Sequence, residues 1–137
     1  MSYLLDTNVV SEVVRSKANQ HVVDWFKTIP DEALFISVLT LGEIRKGIEM
    51  VGDLKRKEKL RLWLEMELPR WFGDRILDID QDVAKRWGRL QSEMSKTIPA
   101  IDSLIAATAL HHDLRLVTRN VKDFKYPSLQ IICPWKD

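Results

Sequence analysis

A single cysteine, Cys133, rules out any disulfide within the chain. The fold therefore does not depend on an oxidising compartment, and a cytoplasmic location is the expectation. Charge of one sign is also missing: 21 basic against 20 acidic residues leave +1. That excludes a protein that wraps nucleic acid by bulk positive charge, while leaving room for a local basic patch. No apolar run approaches the ~18 residues of a membrane span. Asp6 interrupts the first apolar stretch almost at once, so neither a membrane contact nor a secretory leader is expected. Five glycines and five prolines are scattered singly. With no linker, repeat or low-complexity stretch, residues 1–137 read as one domain. A composition 45% hydrophobic and 30% charged excludes disordered, collagen-like and coiled-coil classes.

Short apolar runs alternate with longer amphipathic stretches. Tyr3-Leu4-Leu5, Ala33–Ile36, Arg75–Leu77, Leu114–Val117 and Leu129–Ile132 read as strands. Helical spacing links Leu41, Ile44, Ile48 and Val51; Val83, Trp87 and Leu90; and Ile101, Leu104, Ile105 and Thr108. The run from Asp53 to Trp71 reads as one helix with Leu60, Trp63, Leu64 and Leu68 on a face. Strands alternating with helices imply an α/β fold, a central parallel sheet of about four or five strands flanked by helices.

Polar residues stand where the strands end: Asp6-Thr7-Asn8 after the first, Ser37 at the end of the second, Thr118-Arg119-Asn120 at the end of the fourth along the chain. In open parallel sheets the carboxyl ends of the strands face the ligand-binding crevice. Asp, Ser and Thr are also preferred helix caps, so capping is an equally available reading for each. Two helical carboxylates sharpen the question. Asp102 sits in an apolar segment, Pro99–Ala107, that is expected to be buried, where an unpaired charge is costly. A contact with the helix dipole or a structural ion pair would also account for it. Glu43 lies between Leu41 and Ile44, beside Gly42 and Gly47, whose small size suggests close packing or room for a ligand. Gathering Asp6, Glu43 and Asp102 would demand cations, and oxygen-only donors favour Mg²⁺ or Mn²⁺. Zinc is unfavoured, since one cysteine and three histidines supply no ligand set. His111 and His112 are adjacent on a helix and diverge; they and His21 read as surface residues.

Four blocks carry a resemblance: Leu4–Glu12, Ser37–Gly47, Asp102–Ala109 and Leu116–Phe124. In order and separation they resemble PIN-domain ribonuclease toxins of the VapC type, in the FitB-like branch. The resemblance implies a small PIN-like α/β domain with Mg²⁺- or Mn²⁺-dependent endoribonuclease activity. It also implies a homodimeric toxin held inactive by a cognate antitoxin. Carried over by position, the catalytic acidic cluster is Asp6, Glu43 and Asp102, with a fourth group after the fourth strand. Many members have Asp where this chain has Asn120, so Asp123 becomes the candidate for that charge. Asp6, Asp102 and Asp123 would hold metal, and Glu43 would bind metal or orient the attacking water. Thr7, Asn8, Ser37, Thr40, Thr118 and Asn120 would be polar neighbours that orient the carboxylates.

RNA would need positive charge around such a hole. Arg45, Lys46, Arg115 and Arg119 lie near the motifs, and Lys55–Arg61 forms a basic cluster interleaved with Glu58. Trp63, Trp71 and Trp87 read as core, and Trp135 as an anchor for the C-terminus. Two other readings stay open: a PIN-like interaction module that has lost activity, which Asn120 permits, and an Asp/Mg²⁺ phosphate-handling domain. The latter usually wants a second Asp where Asn8 stands.

Overall fold

The computed structural model describes residues 1–135. Five strands, β1 (Tyr3–Leu5), β2 (Leu34–Ser37), β3 (Ile76–Leu77), β4 (Arg115–Val117) and β5 (Ile131–Ile132), form one sheet. All pairings are parallel and the order is β3-β2-β1-β4-β5. The helices are α1 (Thr7–Glu12), α2 (Gln20–Thr28), α3 (Val38–Glu49), α4 (Leu54–Leu62), α5 (Leu68–Phe72), α6 (Gln81–Glu93) and α7 (Ala100–His111). The expected α/β architecture is therefore present, with five strands, although most are shorter than the apolar runs that announced them.

The strand pleat sorts the core onto two faces. Tyr3, Leu5, Leu34, Ile36 and Val117 pack in one cluster with Val9, Val10, Ile44, Leu68 and Phe72. Leu4 and Leu116 point the other way, to Leu90, Ile105, Ala106, Ala109 and Phe124. The first cluster belongs to α1–α5 and the second to α6 and α7. Both faces of the sheet are thus covered, which is why its strands read as unbroken apolar runs rather than alternating ones.

Some helical expectations need correction. Val51 falls beyond α3, whose last turn is closed by Met50. The predicted 53–71 helix is interrupted by a π turn at Trp63–Glu67, where Leu68 N–H donates to the Trp63 carbonyl. The physical reason is Pro69. Its ring clashes with the carbonyl four residues back and its nitrogen cannot donate, so the turn before it widens. The apolar face survives, since Trp63, Leu64 and Leu68 are all buried. Gly73 then ends α5 at φ +55°, a conformation glycine adopts without a Cβ penalty. Trp63 is core, as expected. Trp71 and Trp87 are only half-buried, contrary to expectation, and each indole N–H donates to a polar partner: Asp31 at 3.2 Å and Ser103 at 2.8 Å.

The loop between α1 and α2 is held by Glu12, a buried carboxylate that the motif reading passed over. It accepts from Asn19 N–H at 2.8 Å and pairs with Arg15 at 3.2 Å. No helix among the described residues is long and apolar enough to cross a membrane.

Candidate active site

The chain moves outward from β1 to β2 and β3, then crosses to β4 on the other flank of β1. That reversal makes the β1/β4 seam the switch point where parallel sheets open a crevice at the strands' carboxyl ends. Leu5 pairs with Val117, so the next residues, Asp6 and Thr118, meet side by side at its mouth.

Asp6 combines both roles that its position allowed. It caps α1, its Oδ1 accepting from Thr7 N–H at 2.9 Å. Its Oδ2 accepts from the Thr118 hydroxyl at 2.8 Å and the Asn8 amide at 3.3 Å. Burial still dominates and raises the Asp6 carboxyl above its ordinary value; those hydrogen bonds pull the other way, and the charge of Glu43 adds to the rise. Glu43 arrives on α3, started by a Ser37 cap whose hydroxyl accepts from Leu39 N–H at 3.0 Å. The Thr7 hydroxyl lies 2.5 Å from Glu43 Oε1 and 3.4 Å from the Thr40 hydroxyl, so Thr7 tethers α3 to the end of β1.

Asp102 differs from expectation. It is half-buried, not buried, because it occupies the first turn of α7; the unbroken buried stretch is Ile105–Ala109. That turn is fastened by Ser103, whose hydroxyl meets the Pro99 carbonyl at 2.5 Å and the Trp87 indole at 2.8 Å. Desolvation raises the Asp102 carboxyl, followed by the charges of Asp6, Asp123 and Glu43. Asp102 therefore feels the other three charges across the crevice, and Asp6 feels that of Glu43. None of the four has a lysine or arginine partner among the described residues. Asp123 is exposed on a short 3₁₀ turn, Val121–Phe124, anchored by the buried Phe124. Asn120 stands at the head of that turn, its backbone N–H donating to the Thr118 hydroxyl at 3.0 Å.

The four do not close into a cage: no group of three or more His, Cys, Asp or Glu side chains among the described residues is arranged to hold a metal ion. Mutually repelling carboxylates stand apart. An open, all-oxygen donor set still fits Mg²⁺, which keeps several waters and commonly takes only one or two carboxylates. Gly42 and Gly47 pack against nothing: a Cβ on either would meet no atom within 4 Å. The face of α3 beside Glu43 is therefore open, and neither glycine is packed against another part of the chain among the described residues.

The cations are dispersed. Arg115 begins β4, opposite Tyr3, and so lies at the far end of the sheet. Arg45 is engaged by Glu49 and Glu65, each at 3.3 Å. Lys46 is exposed one turn beyond Glu43. Arg119 N–H donates to Asn8 Oδ1 at 3.2 Å, and its guanidinium lies 5.4 Å above the Trp135 ring. His21, His111 and His112 are exposed. A groove of about 450 Å³, lined by Val14, Leu60, Leu62 and Trp63 together with Arg56, Lys59 and Glu67, includes none of the four site carboxylates. Tyr126 was not foreseen. It is buried, and its hydroxyl is held above its usual range by burial and then by Asp102 and Asp123. Its only sequence signal is the alternation Phe124-Lys125-Tyr126 behind Asp123.

The PIN domain model matches residues 3–127. The chain belongs to the PIN-domain family. Toxin FitB of Neisseria gonorrhoeae is 36% identical over 137 residues, covering 98% of this chain and 99% of FitB. The VapC ribonuclease Y4jK of Sinorhizobium fredii is 32% identical, covering 97% of each chain. The crystal structure of FitAcB from Neisseria gonorrhoeae superposes on this PIN domain with a TM-score of 0.88 at 34% identity, over 97% of this chain and 98% of that one. The sequence resemblance and the expected fold both stand on these matches.

Thr118 offers a direct probe of this PIN domain's central carboxylate. Its hydroxyl stabilises ionised Asp6, so Thr118→Val should raise the Asp6 carboxyl further. If ionised Asp6 is needed for activity, the acid limb of the pH–rate profile moves to higher pH. An unmoved limb would separate Asp6 ionisation from catalysis.

Proposed function

We propose that this PIN domain is a metal-dependent endoribonuclease, the toxin of a toxin–antitoxin pair. One observation carries the reading: Asp6, at the carboxyl end of β1 on the sheet's switch point, shares its crevice with Glu43, Asp102 and Asp123, and none of the four has a cationic side-chain partner among the described residues; burial first, and then the other three charges, raise the Asp102 carboxyl. A fold gains nothing from such repulsion unless a cation is to be bound there. Support also comes from the names of the relatives, a toxin and a ribonuclease.

In this reading Asp6, Asp102 and Asp123 hold one or two Mg²⁺ or Mn²⁺ ions. Bound there, the metal supplies a nucleophilic water at neutral pH and neutralises charge on the phosphate. Thr118, Asn8 and Thr7 N–H fix the Asp6 carboxylate so that both oxygens keep their direction. Glu43, oriented by Thr7, accepts a proton from the attacking water or joins the ligand set. Asn120 serves as a neutral polar neighbour, and Asp123 takes the fourth acidic place. Ser37 and Thr40 shape the start of α3 beneath Glu43.

A toxin made in its own cell requires restraint, so a cognate antitoxin is the proposed partner, with a cytoplasmic homodimer as the working assembly. Leu54, Leu62 and Met66, exposed on α4 and the π turn, provide apolar surface for such contacts. Residues 1–137 are taken as one unit.

The test is purified, antitoxin-free protein with total RNA in Mn²⁺ and in EDTA, the new ends mapped by sequencing. Discrete cuts in Mn²⁺ alone, leaving 5′-phosphates and 3′-hydroxyls, are expected. Cyclic 2′,3′-phosphate ends would sink the mechanism. Neither cutting nor metal binding would favour an inactive interaction module.

A further inference from the structure

We propose that Arg119, laid on Trp135, is the phosphate-docking residue at the rim of the acidic site, gripping the RNA backbone beside the bond that is cut. The proposal rests on the ribonuclease reading and names how that site takes a polyanion.

A crevice lined by Asp6, Glu43, Asp102 and Asp123 repels phosphate, so a fixed cation on its edge is needed to seat one. Arg119 has the position. It follows Thr118, which donates to Asp6, and its own N–H donates to Asn8, whose amide donates to Asp6 as well. The backbone at 118–120 is thereby tied to the central carboxylate through two side chains. Arg119 also has a fixed pose. Its guanidinium lies 5.4 Å above the Trp135 ring, and Trp135 packs against the core cluster of β1 and β2. An arginine on an indole face is attracted by the ring while the edges of its fork stay free for a phosphate.

Arg119 is also uncommitted. It forms no ion pair among the described residues. The other rim candidates lack one of these properties. Arg45 is already held by Glu49 and Glu65, and Lys46 has no contact to fix it among the described residues. Trp135 is then a positioning residue: it sets the guanidinium in place, which lowers the ordering cost of binding.

The experiment uses the full chain and two readouts. Binding of a fluorescein-labelled single-stranded oligoribonucleotide is followed in EDTA from about 50 to 200 mM salt, and cleavage of the same RNA is followed in Mn²⁺. Arg119→Gln is expected to raise KM about tenfold with kcat within about twofold. It should also flatten the salt dependence of binding by about 0.7 in log–log slope, one phosphate's worth on a single strand. Arg119→Lys should restore the slope but not the whole affinity, since a point charge replaces a fork. Trp135→Leu should raise KM with the slope unchanged, because the charge remains. Lys85→Gln is the control for bulk charge. Lys85 is exposed on the first half of α6, whose cap Asp80 feels His111 and His112 at the far end of α7.

Unchanged KM and slope in Arg119→Gln overturn the proposal. So does an equal flattening by Lys85→Gln, or a loss in kcat alone. Weakened antitoxin binding with unaltered RNA binding would reassign Arg119 to the protein partner. If wild type cuts no RNA, the ribonuclease reading has failed, whereas the binding arm in EDTA still reports on Arg119.

Discussion

Asp102→Asn is expected to lose RNA cleavage by about 10²–10³-fold or more while keeping its fold, a loss equal to about 3–4 kcal/mol of transition-state stabilisation. Asn keeps the shape and removes the charge, so the change tests the carboxylate alone. Among the described residues Asp102 accepts no hydrogen bond from another side chain, and its turn is fastened separately by Ser103, Trp87 and the Pro99 carbonyl. The fold therefore has little to lose, and it has something to gain. Burial and like charges raise the Asp102 carboxyl in the folded protein. A raised group contributes stability below its unfolded value, near 3.9, and that contribution fades as pH rises through the folded value. At pH 7.5 the ionised wild type has lost it, whereas Asn never ionises. The variant should thus melt above wild type at pH 7.5, and the gap should close as pH falls toward about 4. The gap is small, because Asp102 is only half-buried and water screens it. Divalent metal should raise the melting temperature of wild type more than that of the variant. Undiminished cleavage by the variant would remove Asp102 from the site. A lowered melting temperature would show that the carboxylate serves the fold instead.

Phe124→Ala should produce the largest stability loss, about 3–5 kcal/mol, read as a lower urea midpoint at unchanged slope. Phe124 is 1% exposed and packs with Leu4, Leu116, Ile105 and Tyr126. It is also the one buried residue of the turn that carries Asp123. Deleting the ring leaves a cavity and releases the turn together. Phe124→Leu should cost much less, because most of the volume remains. If Asp123 works from this turn, Phe124→Ala assayed well below its melting temperature should also cleave more slowly than Phe124→Leu. Equal rates would mean that the turn's position does not matter to the chemistry.

The residues of this site were legible because chemistry confined them to a few places. Asp6, Ser37 and Thr118 end apolar runs, and a parallel sheet brings those ends to one edge. Asp102 and Glu43 interrupt apolar helix patterns, which singles them out against the periodicity. What could not be read was depth and direction. Asp102 looked buried because its helix is apolar, but a first-turn residue projects past the packed stretch. Arg115 and Arg119 looked equivalent in sequence, yet strand polarity puts one at each end of the sheet. Gly42 and Gly47 allowed either close packing or room for a ligand, and the structure leaves them in open space. The cation–π contact of Arg119 joins positions 119 and 135, and no local pattern carries it.

By itself the sequence determined the fold class, the parallel sheet, the acidic and polar candidates of the site and the family. The first three follow from hydrophobic period, turn chemistry and residue type, all local properties, and the family from the resemblance of four blocks in their order and separation. Only the tertiary structure decided which carboxylates feel one another, how far each is desolvated, and which arginine is left free at the rim. Those depend on distances between segments up to 112 residues apart, as between Thr118 and Asp6. Such distances are set by how α3, α7 and the turn after β4 pack around the end of β1.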